Sequence, residues 1–232
     1  YRWLKTLDVN GFGGILADDM GLGKTIQIIA LLQAEAQEHP ESQSLIICPA
    51  SLVYNWENEL KRFAPGLTVQ TVTGTAPERE EILRIAVQTG METTQAALKT
   101  AVIRHPQILI TSYDLLKRDI TCYEPFQFRF QVIDEAQYIK NPLTQSAKSV
   151  KLIKAQTRCA LTGTPIENRL AELWSIFDYL MPGFLFTYSH FRRQFEAPIV
   201  KDGDTYALES LRRLTGPFVL RRLKKDVLKD LP

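Results

Sequence analysis

Short apolar runs bounded by turn residues, each followed by a longer amphipathic stretch, recur through most of the chain. Parallel strands need a crossover between neighbours, and an amphipathic helix is the usual one, so this alternation predicts a parallel sheet. Strands are expected at 13–17, 44–48, 68–72, 107–111, 130–133 and 158–161, and helices at 24–37, 52–63, 77–88, 94–104, 144–153 and 168–180. The expected class is α/β, a mostly parallel sheet with helices on both faces. Each strand runs into a small, polar or acidic residue, as at Asp18, Pro49, Ser112, Asp134 and Thr162. In open α/β sheets the ligand crevice lies at those carboxyl ends. The alternation fades after Met181-Pro182-Gly183, and the remaining tail is aromatic and basic. Residues 1–183 are therefore expected to form the core domain and 184–232 a helical extension and linker.

Hydrophobic residues at 45% and charged residues at 23% exclude disorder, collagen and coiled coil. A net charge of +2 gives no global basic field, so any nucleic-acid affinity must come from local patches. Cys48, Cys122 and Cys159 stand singly, an arrangement unsuited to a disulfide framework or a zinc cage. The expected setting is intracellular, nuclear in a eukaryote and cytoplasmic or nucleoid in a prokaryote. His39, His105 and His190 are dispersed, so a metal would be held by oxygen. No apolar run is long enough for a membrane span, and no membrane partner is expected. The chain starts at Tyr1 without a methionine and stops at Pro232, so a piece of a longer protein is expected.

The segment ILADDMGLGKTIQ places Asp19, Met20, Gly21, Leu22, Gly23, Lys24 and Thr25 between a strand and a long apolar helix. Glycines let backbone N–H groups turn inward, the helix N-terminus adds partial positive charge, and a lysine reaches outer phosphates. Thr25 supplies a hydroxyl to Mg2+. The strict phosphate-loop pattern wants glycine where this chain has Asp18, so a glycine-rich turn with a surface lysine stays open at this point. Downstream, FRFQVIDEAQYIKN sets Asp134 and Glu135 at a strand end. Alone such a pair is usually a solvated strand end. Beside a phosphate loop it fits phosphoryl chemistry, Asp134 holding Mg2+ and Glu135 polarising the attacking water. A small-molecule kinase could use a similar loop, but a strand-borne DEAQ points to hydrolysis coupled to movement.

Taken in order, these segments resemble helicase superfamily two, specifically the SNF-type DNA-translocating ATPases, over nearly the whole chain. LADDMGLGKTIQ at 16–27 is similar to motif I, in which an acidic residue precedes MGLGKT. LIICPASLVYNWENEL at 45–60 resembles motif Ia, and ILITSYDLL at 108–116 the following DNA-facing motif. DEAQ at 134–137, ALTGTPIENRLAELWSIFDYLMPG at 160–183 and FVLRRLKKDV at 218–227 resemble motif II, motif III with its extension, and the segment closing the first lobe. The resemblance implies an N-terminal RecA-like lobe using ATP and Mg2+. It implies that residues 19–25 and Gln137 serve the nucleotide, with Lys24, Asp134 and Glu135 catalytic and Thr25 and Asp134 on the metal. Thr162, Gly163 and Thr164 would couple nucleotide state to lobe movement, with Gln137 as their polar link to motif II. Many relatives carry histidine at 137, whereas glutamine is neutral at every pH.

Ser51, Asn55, Trp56, Thr111, Ser112 and Tyr113 are candidates for the DNA face, and Asp114 for support of that loop. Trp56 also has helical spacing with Leu52, Leu60 and Phe63, which favours core over base stacking. Of the basic pairs, mostly solvated faces, Arg221 and Arg222 within the 221–225 run are the best candidates for nucleic acid or for a partner lobe. The implied partners are double-stranded DNA, a second RecA-like lobe of the same parent chain, and DNA-bound protein. The resemblance puts the adenine-recognising glutamine motif upstream of Tyr1 and the arginine fingers in the second lobe. An arginine finger is worth about 10³ to 10⁵ in rate, so residues 1–232 alone are expected to be nearly inactive. The parent would translocate on duplex DNA to displace or remodel bound protein. A non-catalytic docking scaffold is the alternative, disfavoured by Lys24, Thr25, Asp134 and Glu135. A phosphotransferase is disfavoured by the DEAQ and TGTP pairing. Residues 73–105 carry none of the motifs and are expected to be an insertion.

Overall fold

A computed structural model describes residues 1–92, 106–163 and 170–227. Its strands are β1 (Gly14–Leu16), β2 (Ser44–Cys48), β3 (Val69–Thr71), β4 (Ile108–Ser112), β5 (Phe128–Ile133), β6 (Ala155–Leu161) and β7 (Val219–Leu220). The longer helices are α1 (Arg2–Val9), α2 (Lys24–Glu38), α3 (Val53–Phe63), α4 (Ala76–Glu92), α5 (Tyr113–Arg118), α6 (Gln145–Leu152) and α7 (Leu170–Leu180). The chain divides into two units interleaved in sequence. One holds Tyr1, Thr25–Asp134 and Ser149–Gln156, the other Arg2–Lys24, Glu135–Lys148 and Thr157–Pro232.

In the first unit the strand order is β3-β4-β2-β5, and β2 pairs in parallel with both β4 and β5. Every residue of β2 and β4 is buried. Strands covered on both faces read as continuous apolar runs, which is why SLIIC and ILITS carry no alternation. The single buried amide in β5, Gln131, donates to Val150 O at 2.8 Å, so its burial leaves that donor satisfied. Helix α3 turns Val53, Trp56 and Leu60 inward, a one-sided apolar stripe, and packs on β3 and β4. A buried ion pair braces the same unit. Arg79 donates from Nε to Asp119 Oδ2 at 2.6 Å and from Nη2 to Oδ1 at 2.8 Å, and its third nitrogen reaches Gly74 O at 2.6 Å.

In the second unit β1 lies between β6 and β7, parallel to both. Helix α1 approaches β1 so closely that a β-carbon on Gly14 would stand 2.5 Å from Leu7 Cδ1 and 2.8 Å from the Trp3 ring. A larger residue there would have to displace the Leu7 and Trp3 side chains, so glycine lets the helix sit this close. Asp8 on α1 accepts from Thr157 Oγ1 at 2.6 Å, tying the helix to β6. Helix α7 is buried nearly all round, and its Phe177 joins Phe12, Phe184 and Phe218 in one aromatic cluster.

The α/β class with a parallel sheet is what the chain adopts. Several boundaries move outward. β5 starts at Phe128 rather than 130, because the charged residue near its start is accommodated, and β6 at Ala155 rather than 158, because the buried Thr157 hydroxyl finds its partner in Asp8. Arg129 pairs with buried Glu35 at 3.0 Å and lies over the Phe130 ring. Arg158 donates to Tyr179 O at 2.8 Å. The tail folds as short helices at Tyr188–Phe191, Ala197–Asp202 and Thr205–Thr215, a π-helical turn at Arg192–Glu196 between the first two, and β7 beyond them. β7 has only two residues, too few for any periodicity to show, and exists through its pairing with β1. The helix expected at 94–104 lies outside the described residues. No helix among the described residues is long and apolar enough to cross a membrane.

Candidate nucleotide site

The phosphate loop follows β1 and enters α2 at Lys24. Gly21 and Gly23 have φ of +86° and +74°, a left-handed turn that side chains with a β-carbon adopt only at a cost. Those two torsions fold the loop back on itself. The Lys24 ammonium donates to Asp18 O at 2.7 Å and to Asp19 O at 3.5 Å, so it is held inside the loop rather than in solvent. Helix α2 begins there, and the first N–H groups of a helix have no intrahelical acceptor. Loop, ammonium and helix start are together the parts from which an anion site can be built. Thr25 stands half-buried in the first turn of α2, while Met20 is exposed at the rim.

Asp18, in the position where the strict pattern wants glycine, is fully buried. Its carboxylate accepts from the Arg222 backbone N–H at 2.9 Å and from the Arg222 guanidinium, whose pKa that hydrogen bond raises. The expected nucleic-acid role of Arg222 therefore needs correcting: its guanidinium neutralises a buried carboxylate under the phosphate loop. Arg221 is exposed and stays a candidate.

Around the acidic motif, Glu135 sits at φ +53°, ψ +59°. A non-glycine residue in this left-handed conformation costs roughly 1–2 kcal/mol, and such outliers gather at functional sites. Gln137 Nε2 donates to Glu135 Oε2 at 2.6 Å, and Thr162 Oγ1 donates to Gln137 Oε1 at 3.3 Å. Thr162 N–H continues the β6–β1 ladder by donating to Leu16 O at 3.1 Å. Gly163 follows, and a β-carbon there would touch Met20 Cγ at 3.4 Å. Glu135, Gln137 and Thr162 thus form one hydrogen-bonded chain, and Gly163 abuts the loop. Thr164 lies outside the described residues.

In the other unit Asp134 is fixed from three sides. Its N–H donates to Ile47 O at 2.8 Å, its carbonyl accepts from Tyr113 Oη at 2.7 Å, and its Oδ2 accepts from Trp56 Nε1 at 2.9 Å. Trp56 is core, as its spacing suggested, and it also aims a carboxylate. No pattern in the sequence pointed to that bond, which joins α3 to the end of β5. Burial and the charge of Asp134 push the neighbouring Cys48 thiol up to about 12.

The DNA-face candidates separate. Thr111, Ser112 and Tyr113 have buried side chains at 0%, 2% and 2% exposure, so their hydroxyls do not present a surface to a nucleic acid. Ser112 Oγ instead caps α5 by accepting from Leu115 N–H at 3.3 Å, and Tyr113 serves Asp134. These are corrections with one cause: the strand end that carries them is inside the unit. Ser51 and Asn55 are exposed on the turn and first helical turn after β2. Asp114 pairs with Lys117 at 2.6 Å on the α5 surface.

Among the described residues no three or more His, Cys, Asp or Glu side chains cluster to hold a metal. Mg2+ at a nucleotide site takes one or two carboxylates and otherwise waters and phosphate oxygens. A half-exposed Asp134 oriented by Trp56, and the Thr25 hydroxyl, are donors of that kind.

A family model of the SNF2-related domain matches residues 1–232. An uncharacterised ATP-dependent helicase of Mycoplasma pneumoniae is 41% identical over 232 residues, all of this chain and 20% of the relative. The TATA-binding protein-associated factor MOT1 of Saccharomyces cerevisiae is 38% identical over 254 aligned residues, covering all of this chain and 13% of MOT1. The chain thus spans a fifth or less of these two relatives. Among solved structures, the Sulfolobus solfataricus SWI2/SNF2 ATPase core in complex with double-stranded DNA superposes with a TM-score of 0.83 at 41% identity. That match covers 100% of this chain and 45% of the neighbour.

Proposed function

The chain belongs to the SNF2-related domain family, and from that premise we propose that it is the ATP-binding lobe of a DNA-dependent ATPase that translocates on duplex DNA and displaces or remodels bound protein. The observation that carries this reading is the left-handed glycine loop between β1 and α2, with Lys24 folded into it. Lys24 exchanges its loop carbonyls for outer phosphate oxygens when nucleotide enters. Thr25 and Asp134 are the residues that would hold Mg2+, which would supply charge neutralisation at the phosphates, and the half-exposed Glu135 carboxylate orients water and takes its proton. Gln137 and Thr162 transmit the state of Glu135 to β6, with Gly163 and Thr164 beyond. Duplex DNA as partner is supported by the DNA-bound structural neighbour, and Ser51, Asn55 and Arg221 are the surface residues we assign to it. A second RecA-like lobe supplies the arginine fingers, so residues 1–232 alone turn over slowly.

ATP turnover by the full-length protein, with and without duplex DNA, tests this directly. Stimulation by duplex is expected, with loss of at least about a hundredfold in Lys24→Ala and Glu135→Gln, the scale of removing a positioned charge or base. Turnover indifferent to both substitutions would sink the assigned roles. Stimulation by RNA or single strands alone would replace the duplex reading.

A further inference from the structure

The chain beyond β7 stays on the phosphate loop. The β1–β7 ladder continues past the strand ends, with Ala17 N–H donating to Leu220 O at 2.8 Å and Asp19 N–H to Arg222 O at 3.0 Å. Arg222 N–H returns a bond to Asp18 at 2.9 Å, and Lys224 N–H donates to Asp19 Oδ2 at 2.9 Å. Residues 220–224 are thereby strapped along residues 17–19. The strap carries the Lys224 side chain over the glycine turn: its Cε and Nζ each lie 3.5 Å from where a β-carbon on Gly21 would stand.

The backbone bonds of the strap would form with almost any residue at 224, so they do not explain an ammonium there. Two neighbouring cations are engaged otherwise. Arg222 is taken up by Asp18, and Lys24 bonds the loop carbonyls Asp18 O and Asp19 O. Lys224 itself is exposed at the loop's rim, beside the exposed Met20 and Gly21. An ammonium over a left-handed glycine turn just before a helix start adds to the field that attracts an anion there.

We infer that Lys224 is a second phosphate-binding ammonium of this loop, delivered from the far end of the sequence by the strap. The inference rests on the nucleotide reading of residues 18–25. It makes nucleotide binding a load on the segment 220–224: phosphate that draws on Lys224 also holds the strap to the loop. It adds to the site a cation that the phosphate-loop pattern does not contain.

Equilibrium binding of fluorescent ATP and ADP analogues to the full-length protein tests it, with Lys24→Ala, Lys224→Ala, Lys224→Arg and Lys225→Ala compared. Lys224→Ala keeps the backbone bond to Asp19 and removes only the ammonium. It should weaken ATP binding about tenfold, the scale of one charge-assisted hydrogen bond. Lys224→Arg should restore most of that loss, and Lys225→Ala, which removes the same charge one residue away, should stay within about twofold. Melting temperatures of all four variants, measured alongside without nucleotide, should match the parent for Lys224→Ala. Equal effects of Lys224→Ala and Lys225→Ala, no effect at Lys224, or a loss that arginine does not recover would overturn the inference and leave the nucleotide site standing. Binding that ignores Lys24→Ala, or no binding at all, would take down the site and the inference together.

Discussion

Trp56 is a core side chain that also holds the carboxylate we assign to Mg2+. It is 2% exposed, and its indole N–H meets Asp134 Oδ2 at 2.9 Å. Trp56→Phe keeps most of the apolar volume and removes the donor. The expected cost is about 1 kcal/mol in denaturant unfolding, the net worth of one hydrogen bond, together with a raised Mg2+ requirement for turnover. An unchanged Mg2+ dependence would reduce Trp56 to packing alone. Cys48 offers a second residue-scale test. Its thiol is raised from an ordinary 9.0 to about 12, so the folded state keeps a proton that the unfolded state has released. Its stability contribution is complete below about pH 9 and is lost as pH rises from there toward 12. Comparing urea midpoints of the parent and Cys48→Ala should show the parent falling more steeply across that window. A thiol reagent at pH 8 should leave Cys48 unmodified until the protein unfolds. Gln137 has no such titration, and Gln137→His would bring a pH dependence near neutrality into the bond with Glu135.

At the scale of elements, the Arg79–Asp119 pair fastens α4 to the segment after α5. Both partners are under a tenth exposed, and both carboxylate oxygens are engaged. Removing one charge strands the other, so Arg79→Met should cost about 3–5 kcal/mol, while Arg79→Met combined with Asp119→Leu should recover most of that loss. A double variant as unstable as the single one would mean the cost is packing rather than charge. The strap of residues 220–224 is likewise an element that works through neighbours far off in sequence. Arg222→Ala takes a guanidinium from the buried Asp18 carboxylate but keeps the backbone N–H bond to it, and because that guanidinium is 41% exposed the expected loss is about 1 kcal/mol, read by thermal or urea unfolding. Strands β2 and β4 were legible at once because five consecutive apolar or small residues allow little else. β7, two residues long, was not, and neither were the first residues of β5 and β6, where Arg129 and Thr157 argue against burial until Glu35 and Asp8 are seen to engage them.

For the whole molecule, the RecA-like fold, the family and the glycine turn after β1 were readable from the sequence. Each rests on local sequence: apolar runs set strands, and a left-handed turn demands glycine at 21 and 23. The candidates for a DNA face are thinned by burial. Thr111, Ser112 and Tyr113 have the right chemistry for phosphate contacts, but burial turns them inward, which leaves Ser51, Asn55 and Arg221. With a net charge of only +2 and so few surface contacts, duplex binding by residues 1–232 should depend weakly on salt. A steep slope in a salt titration would reveal a basic surface not assigned here. What the sequence alone determined is whatever depends on neighbours in the chain, namely the strands, the long helices and the glycine turn. What only the tertiary structure decided is whatever depends on partners far away in it: Trp56 on Asp134, Arg222 under Asp18, Lys224 over Gly21, and which polar side chains are buried. Hydrogen bonds and ion pairs act within a few ångströms of space, and residues separated by 78 to 204 positions leave no periodic trace of that closeness in the order of the chain.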